Sequence, residues 1–183
     1  MHTQIDHVLF SEEEIQSKVR ELAAQLSRDY EGKNPLFVGV LKGVVMFFAD
    51  VVRNFQHHCE IDFMCISSYS GTQSRGVMQV LKDLSQDITG RHVVVLEDIY
   101  DTGNSLNFVY NYLEGRGAAS VEICTFLDKP ERRNPNVTLV PKYVGYVIPN
   151  EFVVGYGLDY NENFRNLPYI GVLKPEVYQE QGE

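Results

Sequence analysis

The chain has 183 residues, a formal net charge of −9 and an apolar fraction of 44%, which suits one domain with a sizeable core. Its acidity disfavours non-specific binding to nucleic acid or to an anionic membrane, and the three cysteines, Cys59, Cys65 and Cys124, have no metal-ligand spacing. With no N-terminal apolar segment resembling a signal peptide, a cytoplasmic protein with free thiols is expected.

Ser11-Glu12-Glu13-Glu14 reads as a capping box, the Ser11 oxygen meeting the third helical N–H while Glu14 reaches back. Ile15, Val19, Leu22 and Leu26 keep one face of the helix that follows, and Gly32 with Pro35 stops it. Leu36 to Leu41 is a buried strand ending at Lys42-Gly43, before an apolar segment, Val44 to Phe55, with the character of a helix. His57-His58-Cys59 is read as a surface turn, since adjacent histidines do not project from one face of a regular element. A strand from Ile61 to Ser67 comes next. The polar, glycine-bearing segment from Ser67 to Gly76 has no period and is expected to be a mobile loop, closed into a flap by a strand from Val77 to Leu81. Gly71 and Gly76 have the spacing of a Walker A loop, but Val77-Met78 stand where Lys-Ser/Thr is required, so that reading fails.

The chemistry concentrates between Val93 and Leu106. Val93, Val94, Val95 and Leu96 form the continuous apolar run of a strand buried on both faces, and the strand ends on Glu97, Asp98 and Asp101. Thr102-Gly103-Asn104-Ser105 then opens a helix carrying Leu106, Val109 and Leu113, which leaves backbone N–H groups free for a phosphate. Carboxylates beside an anion cradle suit ribose hydroxyls, Mg²⁺ or proton transfer, and a phosphosugar fits all three. Gly115-Arg116-Gly117 ends the helix. Val121 to Leu127 is another buried strand, with Asp128-Lys129-Pro130 at its end and Arg132 and Arg133 near enough to assist anions. Tyr143 to Ile148 alternates loosely as a strand that Pro149-Asn150 turns.

The heptamer Glu97-Asp98-Ile99-Tyr100-Asp101-Thr102-Gly103 resembles the phosphoribosyl pyrophosphate (PRPP) motif of type I phosphoribosyltransferases. The run from Phe152 to Arg165, with Val153 and Asp159 inside it, is similar to the C-terminal signature of their hypoxanthine-guanine members, and the likeness extends from about Leu36 to Leu173. Leu41-Lys42-Gly43 resembles a pyrophosphate loop that in the family often holds a cis peptide, with Val44 in place of a second glycine.

The resemblance implies a fold and a set of roles. The fold is α/β, a central, mainly parallel sheet flanked by helices, with a core of roughly 36–148 and a small hood from 1–10 and 149–183. Glu97, Asp98, Asp101, Thr102, Gly103, Asn104 and Ser105 would bind ribose and its phosphate, and Lys42, Gly43 and Arg165 pyrophosphate. Lys129 would contact the 6-oxo group of a purine, Phe152 would stack on its ring, Val153 would meet its edge through the backbone, and Asp159 would lie beside it. Mg²⁺ would be held by Glu97, Asp98 and Asp159, Asp101 would be the general base, and Ser68 and Tyr69 would start the flap. The implied reaction joins PRPP to hypoxanthine or guanine, giving IMP or GMP and pyrophosphate, in a homodimer or homotetramer away from membranes and nucleic acid. Two alternatives stay open: a xanthine-preferring transferase, and a nucleotide-binding RNA regulator without significant turnover, which the net charge disfavours.

Overall fold

A computed structural model describes residues 2–69 and 77–179. The run Val93–Leu96 lies in the middle of its sheet because its alternate side chains are buried on opposite faces. Val94 and Leu96 join Phe37, Phe47 and Phe126 in one core, whereas Val93 and Val95 join Val38, Ile123, Leu106 and Val109 in the other. The strands in chain order are β1 (Ile5–Phe10), β2 (Leu36–Val40), β3 (Glu60–Tyr69), β4 (Val77–Lys82), β5 (His92–Tyr100), β6 (Ser120–Asp128), β7 (Tyr143–Val147), β8 (Val153–Val154) and β9 (Ile170–Leu173). The helices are α1 (Glu12–Asp29), α2 (Val45–Asn54), α3 (Asn104–Glu114) and α4 (Pro175–Gln179).

Six strands make the main sheet in the order β4-β3-β2-β5-β6-β7, parallel except for the antiparallel edge pair β3–β4. Helices α1 and α2 supply Ile15, Val19, Leu22, Phe47 and Val51 to the core on one face, while α3 covers the other with Leu106, Val109 and Leu113. The expected capping box is present at α1, with Ser11 accepting from the Glu14 N–H and Glu14 accepting from the Ser11 N–H. Such caps stabilise a helix by about 1 kcal/mol.

The sheet order places the site. From β2 the chain crosses through α2 to β3 on one side, and from β5 it crosses through α3 to β6 on the other. The adjacent strands β2 and β5 therefore diverge at their C-terminal ends, which opens the crevice where doubly wound sheets bind ligands. A second, antiparallel sheet, β1-β9-β8, joins the N-terminal segment to the C-terminal one over a small core of Ile5, Val154 and Leu173.

One boundary differs from the sequence reading. Ser67, Ser68 and Tyr69 continue β3, opposite Gln79, Met78 and Val77 of β4, where a loop was expected from Ser67 onward. Ladder pairing satisfies backbone groups whatever the side chains, so a polar stretch with no hydrophobic period still forms an edge strand. The rest of the expected flap, 70–76, lies outside the described residues.

Candidate active site

Each crossover delivers one loop to the crevice. After β2, the turn from Leu41 to Gly43 contains a cis peptide bond between Leu41 and Lys42. Val44, where the resembled loop has glycine, is fully buried among the apolar residues beneath α2, so its side chain packs away from the crevice. Gly43 faces inward. A Cβ built there would lie 1.9 Å from Asp98 Oδ2, and one built on Gly157, at φ +101°, would lie 1.9 Å from the Gly43 carbonyl oxygen. Glycine at both positions lets the β2 loop, the end of β5 and the 155–165 segment close around one point.

Near the C-terminal end of β5, Glu97 and Asp98 are partly buried side by side. Asp98 Oδ1 accepts from the Ile99 N–H at 2.8 Å, while Glu97 Oε2 is buried with no hydrogen-bond partner among the described residues. Burial, with the Asp98 carboxylate beside it, pushes the Glu97 carboxyl well above the usual range. Burial also raises Asp98, to about 6, with Asp159 adding to the rise and Arg165 opposing it. Two desolvated carboxylates with an unsatisfied oxygen form an unfinished site that a cation or hydroxyl donors would complete.

Beyond them the chain turns into α3 through Gly103, at φ +82°, and no side chain caps the helix among the described residues. Asn104 and Ser105 are exposed there and Thr102 is partly buried, as an open anion cradle requires. Behind the turn, a Cβ on Gly103 would meet the Tyr100 ring at 2.9 Å and Val137 at 3.1 Å, and the Asn134 N–H donates to the Thr102 carbonyl at 3.0 Å. Arg133, expected near anions, takes part in this support. Its guanidinium lies 3.0 Å from the Tyr100 ring centroid, donates to the Asp101 carbonyl at 2.9 Å and pairs with Asp128, which commits two of its N–H donors.

Asp101 lines a 210 Å³ pocket together with Lys129, Arg132, Phe152, Val153 and Asp159, and Ile99 and Leu158 complete it. Its Oδ2 is 3.9 Å from Lys129 Nζ and its Oδ1 is 3.5 Å from Arg132 Nε. Lys129 is 6% exposed and donates to the Glu151 carbonyl at 3.0 Å. Burial lowers its pKa, Asp101 opposes the change and Arg132 reinforces it. An ammonium has three donors, so donors remain for a ligand acceptor in the pocket. Phe152 is 37% exposed, with its ring perpendicular to that of Tyr160 and stacked on that of Tyr178.

Arg165 links the pocket to the β2 loop. It donates to the Gly157 carbonyl at 2.8 Å and pairs with Asp159 at 2.9 Å, and its buried Nε has no partner among the described residues. Lys42 is exposed and pairs with Glu162 at 3.0 Å. Asp159 spends its second oxygen on the Glu162 N–H. Among the described residues no three carboxylate, imidazole or thiolate groups converge on a metal-sized space, so Glu97, Asp98 and Asp159 do not form an all-protein cage. The Glu97–Asp98 pair nonetheless fits Mg²⁺, which is held by one or two carboxylates with substrate phosphates and water.

The sequence reading thus named Asp101, Lys129, Phe152, Val153 and Asp159, which the fold brings to one pocket, and Lys42, Gly43, Asp98 and Arg165, which it gathers beside it. It missed Glu151, Glu162, Ile99 and Leu158. Glu151 acts through its backbone carbonyl, which no residue pattern reveals; Ile99 and Leu158 lay inside the motifs but were read only as spacers.

A family model of the phosphoribosyl transferase domain matches residues 9–161. The chain is 53% identical over 179 residues to the hypoxanthine-guanine phosphoribosyltransferase of Streptococcus pneumoniae strain R6, covering 97% of this chain and 98% of that one. It is 51% identical over 181 residues to the bifunctional protein TilS/HprT of Listeria innocua, but it spans only 28% of that longer relative. The crystal structure of a hypoxanthine phosphoribosyltransferase from Staphylococcus aureus superposes with a TM-score of 0.92 at 50% identity, covering 97% of this chain and 96% of that one. A variant of the hypoxanthine phosphoribosyltransferase of Trypanosoma cruzi, complexed with the product IMP, gives a TM-score of 0.92 at 38% identity, covering 100% and 98%. Matched along most of its length in sequence and in fold, the chain belongs to the phosphoribosyltransferase family.

Proposed function

We propose that this chain transfers the 5-phosphoribosyl group from PRPP to N9 of hypoxanthine or guanine, giving IMP or GMP and pyrophosphate in purine salvage. The observation that carries this is one continuous site: a pocket lined by Asp101, with an aromatic wall and a buried ammonium, lies beside two desolvated carboxylates, one with an oxygen left unsatisfied among the described residues, and a helix start with no side-chain cap. A flat heterocycle with an exocyclic oxygen suits the pocket. The ribose hydroxyls suit Glu97 and Asp98, and the 5-phosphate suits the first-turn N–H groups from Thr102 to Ser105.

The residues divide the reaction among them. Lys129 donates to O6 of the base, Phe152 stacks on the ring, and the Val153 backbone meets the base edge. Asp101 takes the proton from N7 as N9 attacks the anomeric carbon, which turns a neutral base into a better nucleophile. As pyrophosphate leaves, Arg165, Lys42 and the Gly43 backbone take up its growing charge. Glu97 and Asp98, with Asp159 nearby, would hold Mg²⁺, which would supply positive charge against the diphosphate.

The organisation proposed with this function is a single domain over 1–183, with a core of about 36–148 and a hood from 1–10 and 149–183. It works as a cytoplasmic homodimer or homotetramer. Among the described residues no helix is long and apolar enough to cross a membrane.

The test is turnover of PRPP with hypoxanthine, guanine, xanthine and adenine in separate assays, each with Mg²⁺ and with EDTA. Hypoxanthine and guanine should give nucleotide and pyrophosphate, EDTA should abolish this, and added Mg²⁺ should restore it. Adenine should fail, because its 6-amino group offers Lys129 a second donor where an acceptor is needed; discrimination of this kind reaches about 10⁴-fold. Turnover in metal-free buffer, or adenine used as well as hypoxanthine, would reject the assignment.

A further inference from the structure

Phe152 carries little support from its own strand. β8 has two residues, Val153 and Val154, and Phe152 precedes them with its ring 37% exposed. A ligand that needs such a ring in one rotamer loses affinity to whatever freedom the ring retains. The structure supplies a brace from far along the chain. The Tyr178 ring, on α4, stacks on Phe152 with centroids 5.0 Å apart and planes 23° apart. Tyr160 meets Phe152 edge-on at 5.5 Å and 89°.

The brace is on the outer side. Phe152 lines the 210 Å³ pocket, whereas neither Tyr178 nor Tyr160 does, so Tyr178 covers the ring face turned away from the pocket. The residues that lead into the helix presenting it are tied to both flanks of the small sheet: the Lys174 N–H donates to the Gln4 carbonyl at 3.0 Å and the Leu173 N–H to the Phe152 carbonyl at 2.8 Å. Tyr178 and Val177 also pack on the Ile5, Val154 and Leu173 core.

We propose that Tyr178 is a positioning residue for the base site: it fixes the Phe152 ring from behind, so that the purine becomes the third layer of a stack built from Tyr178, Phe152 and the ligand. This deepens the reading in which Phe152 stacks on the base, and it rests on that reading. Because PRPP binds by phosphate and ribose contacts elsewhere in the crevice, Tyr178 should affect the base and leave PRPP alone.

Steady-state constants for hypoxanthine and for PRPP should be measured for the wild type, Tyr178→Ala, Tyr178→Leu, Tyr178→Phe and Phe152→Ala, with Tm alongside. Aromatic stacking contributes about 0.5–1.5 kcal/mol beyond area, which converts to roughly a 2- to 10-fold change. Tyr178→Ala should raise KM for hypoxanthine by that factor, with KM for PRPP unchanged within error. Tyr178→Phe keeps the ring and should restore the wild-type value. Tyr178→Leu keeps apolar bulk for folding without a planar face and should behave as the alanine variant does. If Phe152→Ala raises the hypoxanthine KM while Tyr178→Ala and Tyr178→Leu do not, the brace is wrong and the base site stands. Rises in both KM values together would show a general structural role and overturn the inference. No change in Phe152→Ala would overturn the base-site assignment and the brace with it.

Discussion

Two carboxylate sites in one sheet show opposite treatment. Asp62 in β3 is 6% exposed, and donors surround it: the Phe63 N–H at 2.7 Å, the Ser85 N–H at 2.7 Å, the Ser85 hydroxyl at 2.8 Å and Lys82 at 3.4 Å. Burial pushes its pKa up, but the bonds from Ser85 and Phe63 and the Lys82 charge outweigh that and leave it below the usual carboxylate value. Glu97 and Asp98 in β5 have burial without donors in that number, and both are raised. A carboxylate that the protein satisfies itself holds structure together, and one left unsatisfied where the sheet splits is reserved for something that binds.

The largest expected effect separates chemistry from binding inside the crevice. Asp101→Asn keeps the shape of the side chain and removes its capacity to accept a proton, so kcat should fall by about 10²–10⁴, or roughly 3–5 kcal/mol of barrier. KM for PRPP should barely move. Steady-state kinetics with both substrates checks this, and an equal loss of PRPP affinity would make Asp101 a binding group like its neighbours. Asp62→Asn should leave these constants alone, since no residue of the pocket touches it.

Next comes stability at the satisfied site. In Asp62→Asn an amide N–H₂ must face donors already aimed at a carboxylate, so at least one charge-assisted bond is lost and a donor is left unpaired. The cost should be about 2–3 kcal/mol. For a chain of this size that lowers Tm by roughly 4–10 °C, measured by calorimetry without ligands. The pH dependence has a definite sign. A carboxyl whose folded pKa lies below its ordinary 3.8 contributes stability that is fully present above that value and is lost as the pH falls through the folded pKa. The variant should therefore differ most from the wild type above pH 4, and the gap should close in stronger acid. A gap independent of pH would mean that packing, and not the Asp62 charge, carries the effect.

How much of this the sequence showed depends on whether the partners are near each other in the chain. The capping box at Ser11 and Glu14, the two-sided strand Val93–Leu96 and the start of α3 at Gly103 are local, so residue pattern and spacing reveal them. The carboxylates of the candidate site were legible for the same reason, since one motif carries them beside the turn into α3. Asp62 was not: apart from the adjacent Phe63 N–H, its donors lie on Lys82 and Ser85, 20 and 23 residues on, and nothing at Asp62 announces them. The Arg133–Tyr100 contact and the Tyr178–Phe152 stack are also long-range pairs between residues that look ordinary locally. The β3 boundary was misplaced because edge pairing to β4 overrode a polar, aperiodic segment.

The smallest expected effect is the sharpest test of the comparison, because its sign differs between the two sites. Glu97→Gln replaces a buried carboxylate beside Asp98 with a neutral amide of nearly the same shape. The wild-type protein holds Glu97 Oε2 away from water with no donor among the described residues, next to a second acid. Removing a like charge from such a pair relieves repulsion, and the new N–H₂ can donate to Asp98 where the carboxylate could only accept. The ligand-free variant should be as stable as the wild type or more so, by about 1 kcal/mol or less, within the range of stability gains found when functional strain is removed. A Tm 0–4 °C higher by calorimetry is the corresponding reading. Its affinity for PRPP with Mg²⁺ should drop in the same preparation, because the neutral amide no longer offers an anionic oxygen to the cation. A stabler protein that binds its substrate less well identifies Glu97 as a residue kept for the ligand at the expense of the fold. If Glu97→Gln instead lost stability as Asp62→Asn does, Glu97 would have a structural partner, and the contrast between the two carboxylate sites would collapse.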